Sequence, residues 1–155
     1  MVGSRPNAMS TTQSRPDFSG MWSLNVCKST LRGEIPKKIL VKIEHSEPDI
    51  RQDVLITSAD DKQQQMRFTF NTTGAETTNR LGVGVGRTKA HWRGSVLVIE
   101  SLLKVADREL YFRDHWSLSD DKKMLTMAHP DDDLAGQISI LDSVSSEDVG
   151  GFDLA

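Results

Sequence analysis

Apolar and polar residues alternate with a period of two along most of the chain, the pattern of antiparallel strands buried on one side only. Lys38 to His45 places Ile39, Val41, Ile43 and His45 on one face, with Lys42 and Glu44 on the other. Asp49 to Ser58 aligns Ile50, Gln52, Val54 and Ile56. After the turn at Asp60-Asp61-Lys62, Gln64 to Phe70 aligns Met66, Phe68 and Phe70 against Arg67 and Thr69. Thr73-Gly74 reads as a turn, followed by one glycine-rich strand from Glu76 to Gly86. Lys89 to Trp92 and Ser95 to Lys104 flank Arg93-Gly94 as a tight hairpin, and Arg108 to Ser119 pairs with Met124 to His129 across the turn at Asp120 to Lys123. Met21 to Leu24 opens the set and Gln137 to Ser143 closes it. Helical periodicity is nearly absent.

The connections decide the architecture. Greek-key sandwiches require some long returns, whereas an up-and-down barrel requires only hairpins, and hairpins dominate here. Closure also removes exposed sheet edges. The expectation is an all-β, antiparallel up-and-down barrel of about eight to ten strands over residues 18–144. Residues 1–17 read as a flexible leader, and 145–155, rich in acidic residues and glycine, as a loose tail. The longest insertion, Asn25 to Lys37, is expected to cover one mouth of the barrel as a loop or short helix.

Composition narrows the function classes. At 155 residues the chain is long enough for one domain with a substantial core. No run approaches the ~20 apolar residues of a membrane-spanning helix. A formal net charge of -3 with scattered basic residues argues against a general nucleic-acid binder. Cys27 is the single cysteine, so neither an internal disulfide nor a thiolate zinc cluster can form. The four histidines, His45, His91, His115 and His129, show no metal-ligand spacing, and Asp131 to Asp133 lacks the alternation and glycine turn of a calcium loop. Neither metal nor cofactor is expected. The leader has no apolar block for secretion, which implies a cytoplasmic location. Met9 leaves open that the preceding residues are foreign to the native protein, and export follows if a native signal stood there.

Asp17-Phe18-Ser19-Gly20-Met21-Trp22 resembles the F-x-G-x-W opening of calycins, the lipocalins and fatty-acid-binding proteins. The hairpins HWRGSVLVIES and RDHWSLSDDKKMLTM are similar to those of small bacterial lipocalin-like domains of unassigned function. The resemblance implies a lipocalin-like barrel whose glycine permits a tight entry, whose tryptophan plugs the closed end, and whose interior holds an apolar small molecule. It carries no catalytic residues. Gly82, Gly84 and Gly86 lack the G-x-G-x-x-G spacing and the following helix of a phosphate loop, and are expected to bend a strand at a barrel corner.

The strand Leu110 to Leu118 is the most informative. Phe112, Asp114, Trp116 and Leu118 share one face, and Tyr111, Arg113, His115 and Ser117 the other. With the aromatic face inward, Asp114 is a carboxylate among aromatics, either a ligand anchor or proton donor or the partner of an arginine near the rim. With the register reversed, Tyr111, Arg113 and His115 line the interior, an arrangement that would hold a ligand carboxylate, at the cost of exposing Phe112 and Trp116.

Two functional readings follow. In the first, the barrel binds an apolar or amphipathic small molecule, with Trp22, Val54, Met66, Phe68, Trp92, Ile99, Phe112, Asp114 and Trp116 as candidate walls. In the second, the same cavity serves a cofactor-independent isomerase or cyclase in which Asp114 and His45, meeting across the interior, act as acid and base. A filled interior, with function carried by the outer surface, is the third possibility.

Overall fold

The computed structural model describes residues 15–31, 33–81, 84–129 and 136–145. Ten strands are present: β1 (Gly20–Leu24), β2 (Lys38–Ser46), β3 (Asp49–Thr57), β4 (Gln63–Asn71), β5 (Thr77–Leu81), β6 (Gly84–Arg93), β7 (Val96–Val105), β8 (Arg108–Leu118), β9 (Met124–His129) and β10 (Gln137–Val144). They form one antiparallel up-and-down sheet in the order β4-β3-β2-β1-β10-β9-β8-β7-β6-β5, curled into a nearly closed barrel. Every neighbouring pair is consecutive in the chain except β1 with β10, which joins the two ends of the meander. Among the described residues no helix is long and apolar enough to cross a membrane.

Turn chemistry accounts for several boundaries. Asp61, Ala106 and Lys122 adopt left-handed φ values of 67, 57 and 62°, and Gly74 and Gly94 take 94 and 62° in the turns their residue types forecast. The glycine-rich segment differs from its sequence reading. Instead of a single strand from Glu76 to Gly86, it is a hairpin: β5 ends at Leu81 and β6 runs from Gly84 through Arg93. A Cβ on Gly84 would lie 2.8 Å from Leu103 Cδ1 and 2.9 Å from the Lys104 carbonyl oxygen. The glycine therefore permits β6 to lie close against β7 just beyond the turn.

The insertion after β1 is tied to β10. It contains a single 3-10 turn, Val26–Lys28, capped by the Asn25 side chain, which accepts from the Lys28 amide. Its backbone exchanges hydrogen bonds with β10 at Thr30 and Ile138, and the Asn25 side-chain amide donates to Asp142 at 2.9 Å. These bonds extend the edge of β1 along its neighbour.

At one end of the barrel lie the β2–β3, β6–β7 and β8–β9 turns, and this end is plugged by aromatic rings. Phe18 is fully buried, stacked with His45 (ring centroids 5.7 Å apart) and Trp92 (5.9 Å), which also stack with each other at 6.0 Å, and is edge-on to Trp116 at 5.5 Å. Phe70 meets Trp116 edge-on from the other side. Trp22 is buried too, and its indole N–H donates to the Phe18 carbonyl at 3.0 Å, which pins the residue that fills the end. Gly20 stands between them at φ +142°, where a side chain would be strained.

The sheet ends, β4 and β5, are not joined by a ladder. The Asn79 side-chain amide takes the role of a peptide group: its oxygen accepts from the Thr69 N–H at 2.7 Å and its nitrogen donates to the Thr69 carbonyl at 3.1 Å. Thr77 Oγ1 donates to the same carbonyl at 2.7 Å. Asn79 continues inward to Thr88 Oγ1 and from there to Ser101 Oγ, so a buried polar chain crosses from β4 to β7.

Candidate functional site

Burial of the inward side chains changes along the barrel axis. In the plugged half Ile43, Ile50, Phe70, Leu97, Trp116 and Leu125 are buried. In the other half Leu24, Ile39, Ile56, Met66, Phe68 and Phe112, also inward by register, are only partly buried. Leu103, inward in the same half, is buried, whereas Leu24, Ile39, Ile56, Met66 and Phe68 pack against the buried cluster and keep part of their surface accessible.

Beside the Asn79, Thr88 and Ser101 chain of β5 to β7, an inward ionisable pair comes from β8 and β9. Trp116 pairs with Met127 across these strands, which places Asp114 and His129, each two residues away, side by side on the inner face. His129 Nε2 is 3.7 Å from Asp114 Oδ1, and the Trp116 indole N–H donates to Asp114 Oδ2 at 3.1 Å. The two side chains keep 24% and 13% of their surface exposed while facing inward. A carboxylate held by an indole N–H next to an imidazole can accept a hydrogen bond from a ligand hydroxyl or amine, and can exchange a proton with it.

Of the residues singled out by sequence, Met66, Phe68, Phe112 and Asp114 lie in the accessible half. Val54 and Ile99 are buried in the wall between the halves, and Trp22 and Trp116 belong to the plug. Trp92 is half-buried at the same end, stacked on Phe18 and donating to Glu47 Oε1 at 3.2 Å. His45 is also committed there. Its Nδ1 accepts from the Phe18 amide at 3.2 Å and its Nε2 lies 2.8 Å from Glu47 Oε1, which assigns the proton to Nε2. The histidine beside Asp114 is thus His129 rather than His45. Burial disfavours ionisation of Glu47, but hydrogen bonds from His45, Thr72 and Trp92 outweigh it and hold the carboxyl below its ordinary value.

Tyr111, Arg113 and His115 are on the outer face. There the Tyr111 hydroxyl donates to Glu100 Oε2 at 2.7 Å and Arg113 lies 3.0 Å from the same oxygen. The Tyr111 bond lowers the Glu100 carboxyl most, with Arg113 assisting against burial, while burial and then Glu100 itself raise the Tyr111 phenol. Sequence reasoning missed His129 and Asn79. His129 closes an alternating run, but its neighbour is set by cross-strand register, which no single strand reveals. Asn79 had no signal beyond being a polar residue in a glycine-rich stretch. The glycine at 82 and Asp131 to Asp133 fall outside the described residues. No protein-family model matches the chain. No curated protein matches it either.

Proposed function

We propose that the protein binds an apolar or amphipathic small molecule in the accessible half of its barrel, in the manner of a calycin-like carrier, with Asp114 and His129 meeting a polar group of the ligand. The observation carrying this reading is the change in burial along the axis: one half is filled with aromatic rings, and the other leaves inward apolar side chains incompletely covered. Apolar walls with a few converging polar groups are the usual composition of small-molecule sites.

The test is binding of 1-anilinonaphthalene-8-sulfonate to folded protein, together with native mass spectrometry for a co-purified ligand. Met66→Trp, which places a larger ring in the accessible half, is expected to weaken dye binding at least tenfold, about 1.4 kcal/mol, with unchanged near-ultraviolet circular dichroism. Folded protein that neither binds the dye nor carries a ligand refutes the proposal. The proximity of Asp114 and His129 favours one second reading, acid–base catalysis on the bound molecule without a cofactor. In that case Asp114→Asn abolishes turnover of a bound substrate while sparing its affinity.

A further inference from the structure

The outer face of β5 to β8 carries a charge excess opposite in sign to the whole chain. Arg80, Arg87, Lys89, Arg93, Lys104 and Arg113 point outward from these strands, as the alternating burial of β6 and its cross-strand pairs require. Glu100 and Glu109 oppose them within the four strands and Glu76, just ahead of β5, borders the same face, a balance of three positive charges in a protein of formal net charge -3. Glu100 is engaged by Tyr111 and Arg113. None of the other five cations has a carboxylate within ion-pair distance among the described residues.

Apolar groups lie between these cations. Val85 is 45% exposed, and Arg87, Leu102 and Tyr111 form one row across β6, β7 and β8. Two shallow depressions of about 430 and 310 Å³ share Arg87 and Leu102 and so form one continuous trough. The face is about 14 Å wide over four strands and about 27 Å long from Val85 to Arg93, from the spacing of strands and residues in a sheet. Dispersed cations with exposed apolar groups between them are the chemistry that meets an anionic bilayer surface, where charge contacts phosphates and apolar groups reach the headgroup boundary.

We propose that the outer face of β5–β8 docks on a bilayer containing anionic phospholipids, with the cations against lipid phosphates and Val85 and Tyr111 at the headgroup boundary. Each such cation near an anionic bilayer is worth roughly a fivefold gain in partitioning. Docking this way brings the β7–β8 turn, at the unplugged rim of the barrel, alongside the lipid. The inference does not depend on the interior: ligand-free protein is expected to bind, so its failure and that of the binding proposal are separately observable.

The experiment is co-sedimentation of the full chain with vesicles of phosphatidylcholine alone or with about one-third phosphatidylglycerol, at low and at high salt. Binding is expected only with the anionic vesicles, lost at ~1 M salt as screening shortens to about 3 Å. The triple variant R87E/K89E/K104E is expected to weaken binding by more than about a hundredfold. K38E/K42E/K62E, with the same change in net charge on other parts of the surface, is expected to stay within about tenfold of the parent protein. Thermal melts of both variants check that they fold. Equal binding to both vesicle types, no binding, or equal losses in the two variants overturn the proposal, as does retention on single-stranded RNA without retention on vesicles.

Discussion

Replacing Phe18 by alanine tests whether the segment ahead of β1 is part of the fold or a strap lying on it. The ring is fully buried and meets three aromatic rings, two stacked and one edge-on. Returning a phenyl group to water costs about 2 kcal/mol. A vacated volume of roughly 100 Å³, at about 24 cal/mol per Å³, adds about 2 kcal/mol if the rings do not close in. Three ring contacts of about 0.5–1.5 kcal/mol overlap with these terms, so the expected loss is about 4 kcal/mol. With a urea slope of about 2 kcal/mol per M, the unfolding midpoint falls by about 2 M. Equilibrium urea unfolding followed by tryptophan emission is suited to this, because Trp22, Trp92 and Trp116 all touch the Phe18 site. Phe18→Leu, which keeps most of the volume and loses the stacking, is expected to cost about 1–1.5 kcal/mol. A loss below about 1 kcal/mol for the alanine variant, with unchanged native emission, refutes the plug.

Two further outcomes follow from the polar network. The folded pKa of Glu47 is depressed, so the stability it contributes is present above its ordinary value of 4.5 and disappears as pH falls through the depressed value. The stability gap between wild type and Glu47→Gln is therefore expected to be widest near neutrality and to close below pH 4.5; a gap that stays constant down to pH 3 contradicts the assignment. Asn79→Ala removes the pseudo-peptide that joins β4 to β5 and leaves the Thr69 N–H and carbonyl without it, at an expected cost of about 2–3 kcal/mol. Hydrogen exchange at the Thr69 amide should accelerate at least about tenfold in this variant, and protection equal to wild type shows that the bridge does not hold the seam.

The architecture was largely legible because strand and turn signals are local. Alternation at Ile39, Val41 and Ile43 or at Met66, Phe68 and Phe70 declares a face within one strand, and Asp61 and Gly94 mark turns by their own conformational preferences. The stretch from Glu76 to Gly86 was misdivided for the same reason: glycines 82, 84 and 86 have no side chain with which to declare a face. Site geometry was less legible because it depends on register between strands. Asp114 and its face were readable from Phe112 and Trp116, whereas the approach of His129 depends on the pairing of Trp116 with Met127. His45 pointed inward as its alternation required, but its partners, the Phe18 amide and Glu47, come from a preceding segment and the following turn.

The join between β4 and β5 has a consequence for how the chain is threaded. Every ladder within β1 to β4 and within β5 to β10 is local to its own half, and the two halves are knitted along β1 and β10. The peptide between β4 and β5, residues 72–76, lies outside both ladders and adds only an isolated bridge from Thr73 to His91. A polypeptide cleaved there retains every strand pairing, so the molecule resembles two complementary meanders. New termini opened at this junction would reorder the strands along the chain while leaving their arrangement in space unchanged.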